Sequence, residues 1–144
     1  MKGAAGGKER TRERGQGLVE FSLAITVFLV LIMGIVDLGR AVYQYNGVAE
    51  TARELARAAS VHPGSPLGNS TKALSTLQAQ RGLVPGLATP AYACIDIGGT
   101  TVTGACAAGD WVRVTARSTF IPVTPLATFL GQIVLSSTAS SRLE

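Results

Sequence analysis

The 144 residues allow one small domain besides a long apolar helix, and two cysteines and a single histidine lying well apart in sequence make no metal-ligand set. The formal charge of +4 is unevenly spread: residues 1–15 hold Lys2, Lys8, Arg10, Arg12 and Arg14 against Glu9 and Glu13, which leaves a net +1 from Gln16 onward. No basic stripe with interleaved aromatics follows that leader, which argues against a nucleic-acid partner.

Residues 1–14 are rich in glycine and charge and lack apolar periodicity, so they are expected to be disordered in water and to act as a processing segment rather than part of the fold. From Phe21 to Val36 there is no charge, and only Ser22 and Thr26 carry polar side chains. At about 1.5 Å per residue, the run from Leu18 to Leu38 covers roughly 30 Å, the hydrocarbon thickness of a bilayer. A helix apolar on every face for this length suits lipid, which offers nothing polar to any side. Residues 16–38 are therefore read as a transmembrane helix. Five Lys/Arg before it, against Arg40 alone just after it, place residues 1–15 in the cytoplasm and everything after Leu38 outside.

The helical pattern continues past the span. Leu38, Ala41, Tyr45, Val48, Ala52, Leu55 and Ala59 recur at spacings of three and four, one stripe of a helix over residues 39–62. Glu50 with Arg53 and Glu54 with Arg57 are i, i+3 pairs on other faces, and Gly47 weakens the helix locally by about 1 kcal/mol relative to alanine. The stripe needs a partner, either the protein's own small domain or another subunit. Pro63 and Gly64 stop the helix, and residues 63–90 form a Pro/Gly linker and a short helix over 71–81, capped by Ser70, with Leu74 and Leu77 inward and Gly82 at its end.

Residues 91–144 read as a small β-rich region. Residues 92–97 and 100–106 are candidate strands around Gly98 and Gly99. A tight Gly-Gly turn pairs Cys94 with Thr103, whereas a longer loop over 98–102 sets Cys94 opposite Cys106. An oxidising compartment outside the membrane permits a disulfide between these two cysteines, worth on the order of 3 kcal/mol for such a loop, the alternative being two small buried thiols. Residues 110–120 alternate, with Val112, Val114, Ala116 and Phe120 on one face and Arg113, Thr115, Arg117 and Thr119 on the other. Thr124 and Pro125 can begin a short helix to Gly131, and residues 133–138 make a last strand. The fold class is α+β: a long N-terminal transmembrane helix continuing into a small extracytoplasmic domain with an antiparallel sheet.

Glu20 is the chemically informative residue. A carboxylate in an apolar segment costs up to roughly 3 kcal/mol at the bilayer centre and normally marks a partner. The alternative is an interfacial carboxylate stabilised by the helix N-terminus and wetted by headgroups. Asp37 and Arg40, three apart, read as interfacial charges that pair at the membrane boundary. No catalytic set emerges. Asp96-Ile97-Gly98-Gly99-Thr100 resembles the phosphate loop of sugar kinases with an actin-like fold, but 44 following residues cannot supply two lobes, so it reads as a turn. His62 sits in a Pro/Gly linker and reads as exposed.

Gly15, Gln16, Gly17, Leu18, Val19, Glu20 and Phe21 together resemble the cleavage site of type IV prepilins, where a basic leader ends in glycine and the fifth mature residue is glutamate. The Glu20-Phe21 pair is more similar to the Flp and TadE-type branch than to pilins whose mature chain begins with phenylalanine, a position filled here by Gln16. Asp37-Leu38-Gly39-Arg40, Ala52-Arg53-Glu54-Leu55-Ala56-Arg57, Phe120-Ile121-Pro122 and the closing Ser141-Arg142-Leu143-Glu144 also resemble the TadE-like family, with Ser141 where a methionine is common.

The resemblance implies a minor pilin-like (pseudopilin) subunit in assembly of a tight-adherence type IV pilus, without enzymatic activity or cofactor. It implies cleavage between Gly15 and Gln16 by a prepilin peptidase, and subunit assembly through Glu20 and Phe21. The implied partners are the membrane, that peptidase, other pilin or pseudopilin subunits and the pilus assembly platform. The implied location is the inner membrane, with possible incorporation into a surface pilus. The competing readings are a single-span surface or binding protein that is not cleaved and a secreted enzyme with a signal peptide, the latter disfavoured by a poor small-residue cleavage site at Gly39 and Ala41.

Overall fold

The computed structural model describes residues 7–62, 67–102, 106–124 and 131–143. Residues 1–6 of the expected leader, 63–66 of the expected linker, 103–105 of the expected second strand, 125–130 of the short helix expected after Thr124, and Glu144 lie outside the described residues. The elements are α1 (Gly7–Val61), α2 (Thr71–Leu83), β1 (Ala91–Ile95), β2 (Thr101–Val102), β3 (Trp111–Phe120) and β4 (Ile133–Arg142). They divide into two compact units, Met1–Leu38 and Gly39–Glu144.

In the first unit α1 begins at Gly7, within the segment expected to be disordered and ahead of the expected helix over residues 16–38. Lys8, Glu9, Arg10, Arg12, Glu13 and Arg14 are adequate helix formers, and extending an existing helix needs no new nucleus, so the leader joins it rather than remaining coil. One helix is long and apolar enough to cross a membrane, and none of its apolar window is buried in the chain. Large side chains such as Leu18, Phe21, Phe28 and Ile35 stand exposed around it. The two hydroxyls of this stretch return to their own helix: Ser22 Oγ donates to the Val19 carbonyl and Thr26 Oγ1 to the Ser22 carbonyl, each at 2.7 Å. That is what an all-round apolar helix requires of its polar residues in lipid.

In the second unit the sheet is antiparallel throughout, ordered β2-β1-β3-β4. The inward face of β3 carries Val112, Val114, Ala116, Ser118 and Phe120, all buried, while Arg113 and Arg117 point outward, as the alternation implies. Leu55, Ala56 and Ala59 of α1 pack with Leu77, Val112, Val114 and Leu143. Val48 and Ala52 pack with Val84 and Ala116. The apolar stripe therefore finds its partner within the chain from Val48 onward, whereas Leu38 and Tyr45 at its start are exposed. Of the two expected ion pairs on α1, Glu50 and Arg53 meet at 3.4 Å between exposed side chains, and among the described residues Glu54 and Arg57 do not.

Several local expectations are corrected. Ser70 caps α2, accepting from the Ala73 amide at 3.2 Å, but Ala73 and Leu77 are the buried residues and Leu74 is exposed. The helix runs past Gly82 and ends at Val84. Val84 precedes Pro85, whose ring disfavours helical dihedrals at the preceding residue, so φ −113° and ψ 102° end the helix without a left-handed glycine.

The β1–β2 loop has five residues, as a longer loop requires, but spans 96–100 and pairs Cys94 with Val102 rather than with Thr103 or Cys106. Asp96 sets this register: its carboxylate Oδ1 accepts the Thr100 amide at 2.8 Å, and Asp96 N donates to Thr100 O at 3.0 Å. Gly99, at φ +86°, supplies the left-handed position of the turn. β4 continues to Arg142 rather than stopping near Thr138, because all ten of its residues pair with β3. Serine and alanine are weak strand formers, but the ladder and the small contacts they allow outweigh propensity; Ser141 Oγ meets Ser60 Oγ of α1 at 3.0 Å.

Gly47 acquires a structural reason. A Cβ there would lie 2.8 Å from Cγ2 of buried Val84, a stiff β-branched side chain. Alanine at 47 gains about 1 kcal/mol of helix propensity but meets overpacking of about 1–3 kcal/mol, so Gly47→Ala is expected to lower stability. The loss should shrink or reverse in a Val84→Ala background. Thermal unfolding of the four proteins in detergent checks this, and an equal effect of Gly47→Ala in both backgrounds would remove Val84 as the cause.

Candidate functional site

The stretch Gly15–Phe21 is helical in this structure. Gly15, Gln16, Glu20 and Phe21 all lie in α1 and are exposed. Gln16 and Glu20 are four apart, which places them on one face a single turn from each other. Phe21 is 65% exposed, and a Cβ at Gly15 or Gly17 would touch nothing within 4 Å. Among the described residues Glu20 has no ion-pair partner. The surface thus offers a carboxylate, an adjoining aromatic ring and a continuous apolar flank, without partners among the described residues. Glycines at 15 and 17 each cost a helix about 1 kcal/mol relative to alanine, which makes this turn the easiest part of the segment to open.

At the start of the second unit, Arg40 lies over the Phe120 ring at 5.6 Å from its centroid, within cation–π range. One turn on, Gln44 Nε2 donates to the carbonyls of Pro85 at 2.9 Å and Thr119 at 3.1 Å and to Ser118 Oγ, while Ser118 Oγ donates to Pro85 O at 2.7 Å. One amide thereby ties α1, the end of α2 and the end of β3 together. Gln44 was not legible as such from sequence, where a lone glutamine beside an apolar stripe looks like any exposed helix residue.

The cysteines lie in this unit. Cys94 on β1 is buried and is bonded to Cys106 with Cα atoms 5.5 Å apart. The Asp96–Thr100 stretch is the β1–β2 turn, and its carboxylate is occupied by the Thr100 amide. Asp110, also buried, accepts the Ala107 amide at 2.8 Å and so shapes the turn leading into β3. Among the described residues no three His, Cys, Asp or Glu side chains gather in one place. Desolvation by burial raises the Tyr92 hydroxyl above its ordinary range, favouring the neutral phenol over the phenolate.

Residues 15–57 match the TadE-like protein family model. The matched stretch begins at Gly15, takes in Glu20, Phe21, the apolar run and the Asp37 to Arg40 step, and ends at Arg57 of the Ala/Arg-rich segment. It therefore bears out the TadE-like resemblance across α1 and stops before the sheet. The match covers 43 of the 144 residues, all of them within α1. No curated protein and no solved structure matched the chain.

Replacing Gln44 with alanine removes the donor shared by Pro85, Ser118 and Thr119, leaving the part-buried Thr119 carbonyl short of a partner. A loss of about 1–3 kcal/mol is expected, read as a lower thermal midpoint with an unchanged helix signal. An unchanged midpoint would show that the clamp is dispensable.

Proposed function

We propose that the chain is a minor pilin-like subunit, a pseudopilin, acting in assembly of a tight-adherence type IV pilus. In this reading residues 1–15 are a cytoplasmic leader that a prepilin peptidase removes after Gly15, and residues 16–38 are the transmembrane helix. Residues 39–62 continue it outside the membrane, 63–90 supply the linker and short helix, and 91–144 the β-rich region. The observation that carries the proposal is the register of the family match. The match starts at Gly15, which supports a cut after that residue; such a cut makes Gln16 the first mature residue and Glu20 the fifth.

The physical argument concerns charge in lipid. An exposed carboxylate at the head of an apolar helix is costly if that helix enters hydrocarbon unpaired. Cleavage creates an α-amine at Gln16, and the amine of a neighbouring subunit is a cation of the right size to meet Glu20. Phe21 and the flank below it supply the apolar contact between helices. A Cys94–Cys106 disulfide fits an outer domain in an oxidising compartment. The implied partners are the membrane, the prepilin peptidase, other pilin or pseudopilin subunits and the assembly platform.

Glu20→Ala is expected to leave membrane insertion intact, read as resistance to carbonate extraction, while pili in the native host become few or absent. Normal piliation by that variant would contradict the role given to Glu20.

A further inference from the structure

The sheet turns one face to α1 and the other to water. Residues that oppose one another across an antiparallel ladder share a face. The register therefore sets Trp111, Arg113, Thr115 and Arg117 of β3 beside Arg142, Ser140, Thr138 and Ser136 of β4, on the side away from Val112, Val114 and Ala116. Across the other ladder Arg113 faces Ala93 and Thr115 faces Ala91 of β1. The three arginines, Ser136, Thr138 and Ser140 are exposed, and Trp111 is 42% exposed. Thr115 Oγ1 and Thr138 Oγ1 bond each other at 3.2 Å. Short side chains thus make a flat, hydroxyl-rich floor from which one indole and the guanidinium groups rise.

Charge on this face has one sign, since no described strand contains Asp or Glu. The acids flanking the strands are turned to the backbone: Asp96 Oδ1 accepts the Thr100 amide, and buried Asp110 accepts the Ala107 amide through Oδ2. Glu144, two residues past Arg142, lies outside the described residues. Arg142 donates Nε to the Gly109 carbonyl at 3.3 Å and is partly engaged. Among the described residues the guanidinium groups of Arg113 and Arg117 have no hydrogen bond or ion pair. Four residues apart on one strand, they stand about 14 Å from each other, with Trp111 about 7 Å beyond Arg113.

We propose that this face binds an acidic polysaccharide, with Trp111 stacked on a sugar ring and Arg113 and Arg117 pairing with carboxylates along the chain. Charge complementarity selects an anion, and the planar fork of arginine meets a carboxylate with two parallel hydrogen bonds. The same charges repel this face of a second copy. A protein partner is disfavoured because the middle of the face offers no apolar core of the kind that protein interfaces bury. A single-stranded nucleic acid stacks its successive bases on several aromatic rings, and here there is one. A sugar chain suits what is present: the apolar face of one ring covers the indole, its hydroxyls meet Ser136 and Ser140, and its carboxylates reach the arginines. The binding needs only the second unit and is independent of a cut after Gly15.

Trp111 is the only tryptophan in the chain, so its emission reports the face directly. The full chain, in micelles of an uncharged polyoxyethylene detergent, is titrated with oligogalacturonate, neutral dextran, poly-L-glutamate and oligothymidylate. Migration through gels containing the same polymers gives a second reading that does not need the indole. The variants are Trp111→Ala, Arg113→Gln with Arg117→Gln, and Lys72→Gln with Arg81→Gln. The last pair removes two positive charges from α2 and leaves the sheet untouched. The arginines of β3 are exposed, so their replacement leaves the core intact.

The expected result is a saturable change in Trp111 emission with oligogalacturonate and retardation in its gel. Affinity should fall about ten-fold or more in the Arg113/Arg117 variant and in Trp111→Ala, and stay near wild type in the Lys72/Arg81 variant. No response to oligogalacturonate would overturn the proposal. An equal fall in the Lys72/Arg81 variant would reduce it to net charge and overturn it. Dextran bound as tightly would remove the role of the arginines. Poly-L-glutamate bound as tightly would overturn it in favour of an acidic polypeptide, and oligothymidylate bound as tightly in favour of a nucleic acid.

Discussion

A single helix has to satisfy two solvents. From Phe21 to Val36 it is apolar on every side and sends the hydroxyls of Ser22 and Thr26 back to its own carbonyls, a surface fit for hydrocarbon. From Val48 it buries one stripe only, against the sheet and α2, and keeps Glu50, Arg53, Glu54 and Arg57 for water. Between these lie Arg40 and Gln44, which make cation–π and hydrogen-bond contacts with the sheet end. The remaining elements of the outer domain are positioned by that second stripe.

Close approach is what the stripe achieves, and small residues make it possible. Gly47, Ala52, Ala56 and Ala59 carry little or no side chain on the buried face, and Ala139 and Ser141 answer them from β4. With so little side-chain volume between helix and sheet, each contact is sensitive to one added methyl, as Gly47 against Val84 illustrates. The core of so small a domain gives limited stabilisation, which is why the Cys94–Cys106 bond and the Gln44 clamp matter to it.

Much of this was legible in the sequence because it depends on periodicity. The all-round apolar run, the three-and-four spacing beyond it and the strict alternation of β3 each follow from the geometry of one element. The misreadings arose where tertiary context decides. Leu74 is apolar yet exposed, since Ala73 takes the buried position; β4 outruns its strand propensity because β3 offers ten partners; and Val84, through Pro85, ends α2 where glycine seemed the natural stop. The leader was expected to be coil and is helical from Gly7, because a helix already nucleated downstream extends cheaply. Of the candidate site, its residues were readable in sequence, whereas the Gln44 clamp was not, because its acceptors are remote carbonyls and a serine.

In the proposed reading, cleavage between Gly15 and Gln16 would convert the exposed carboxylate of Glu20 into half of an ion pair between subunits. The most direct test is the mass of the N-terminal peptide of the protein isolated from membranes of its native host. The account predicts a mature chain beginning at Gln16; a chain retaining Met1 and the full leader would contradict it and leave an uncleaved membrane anchor.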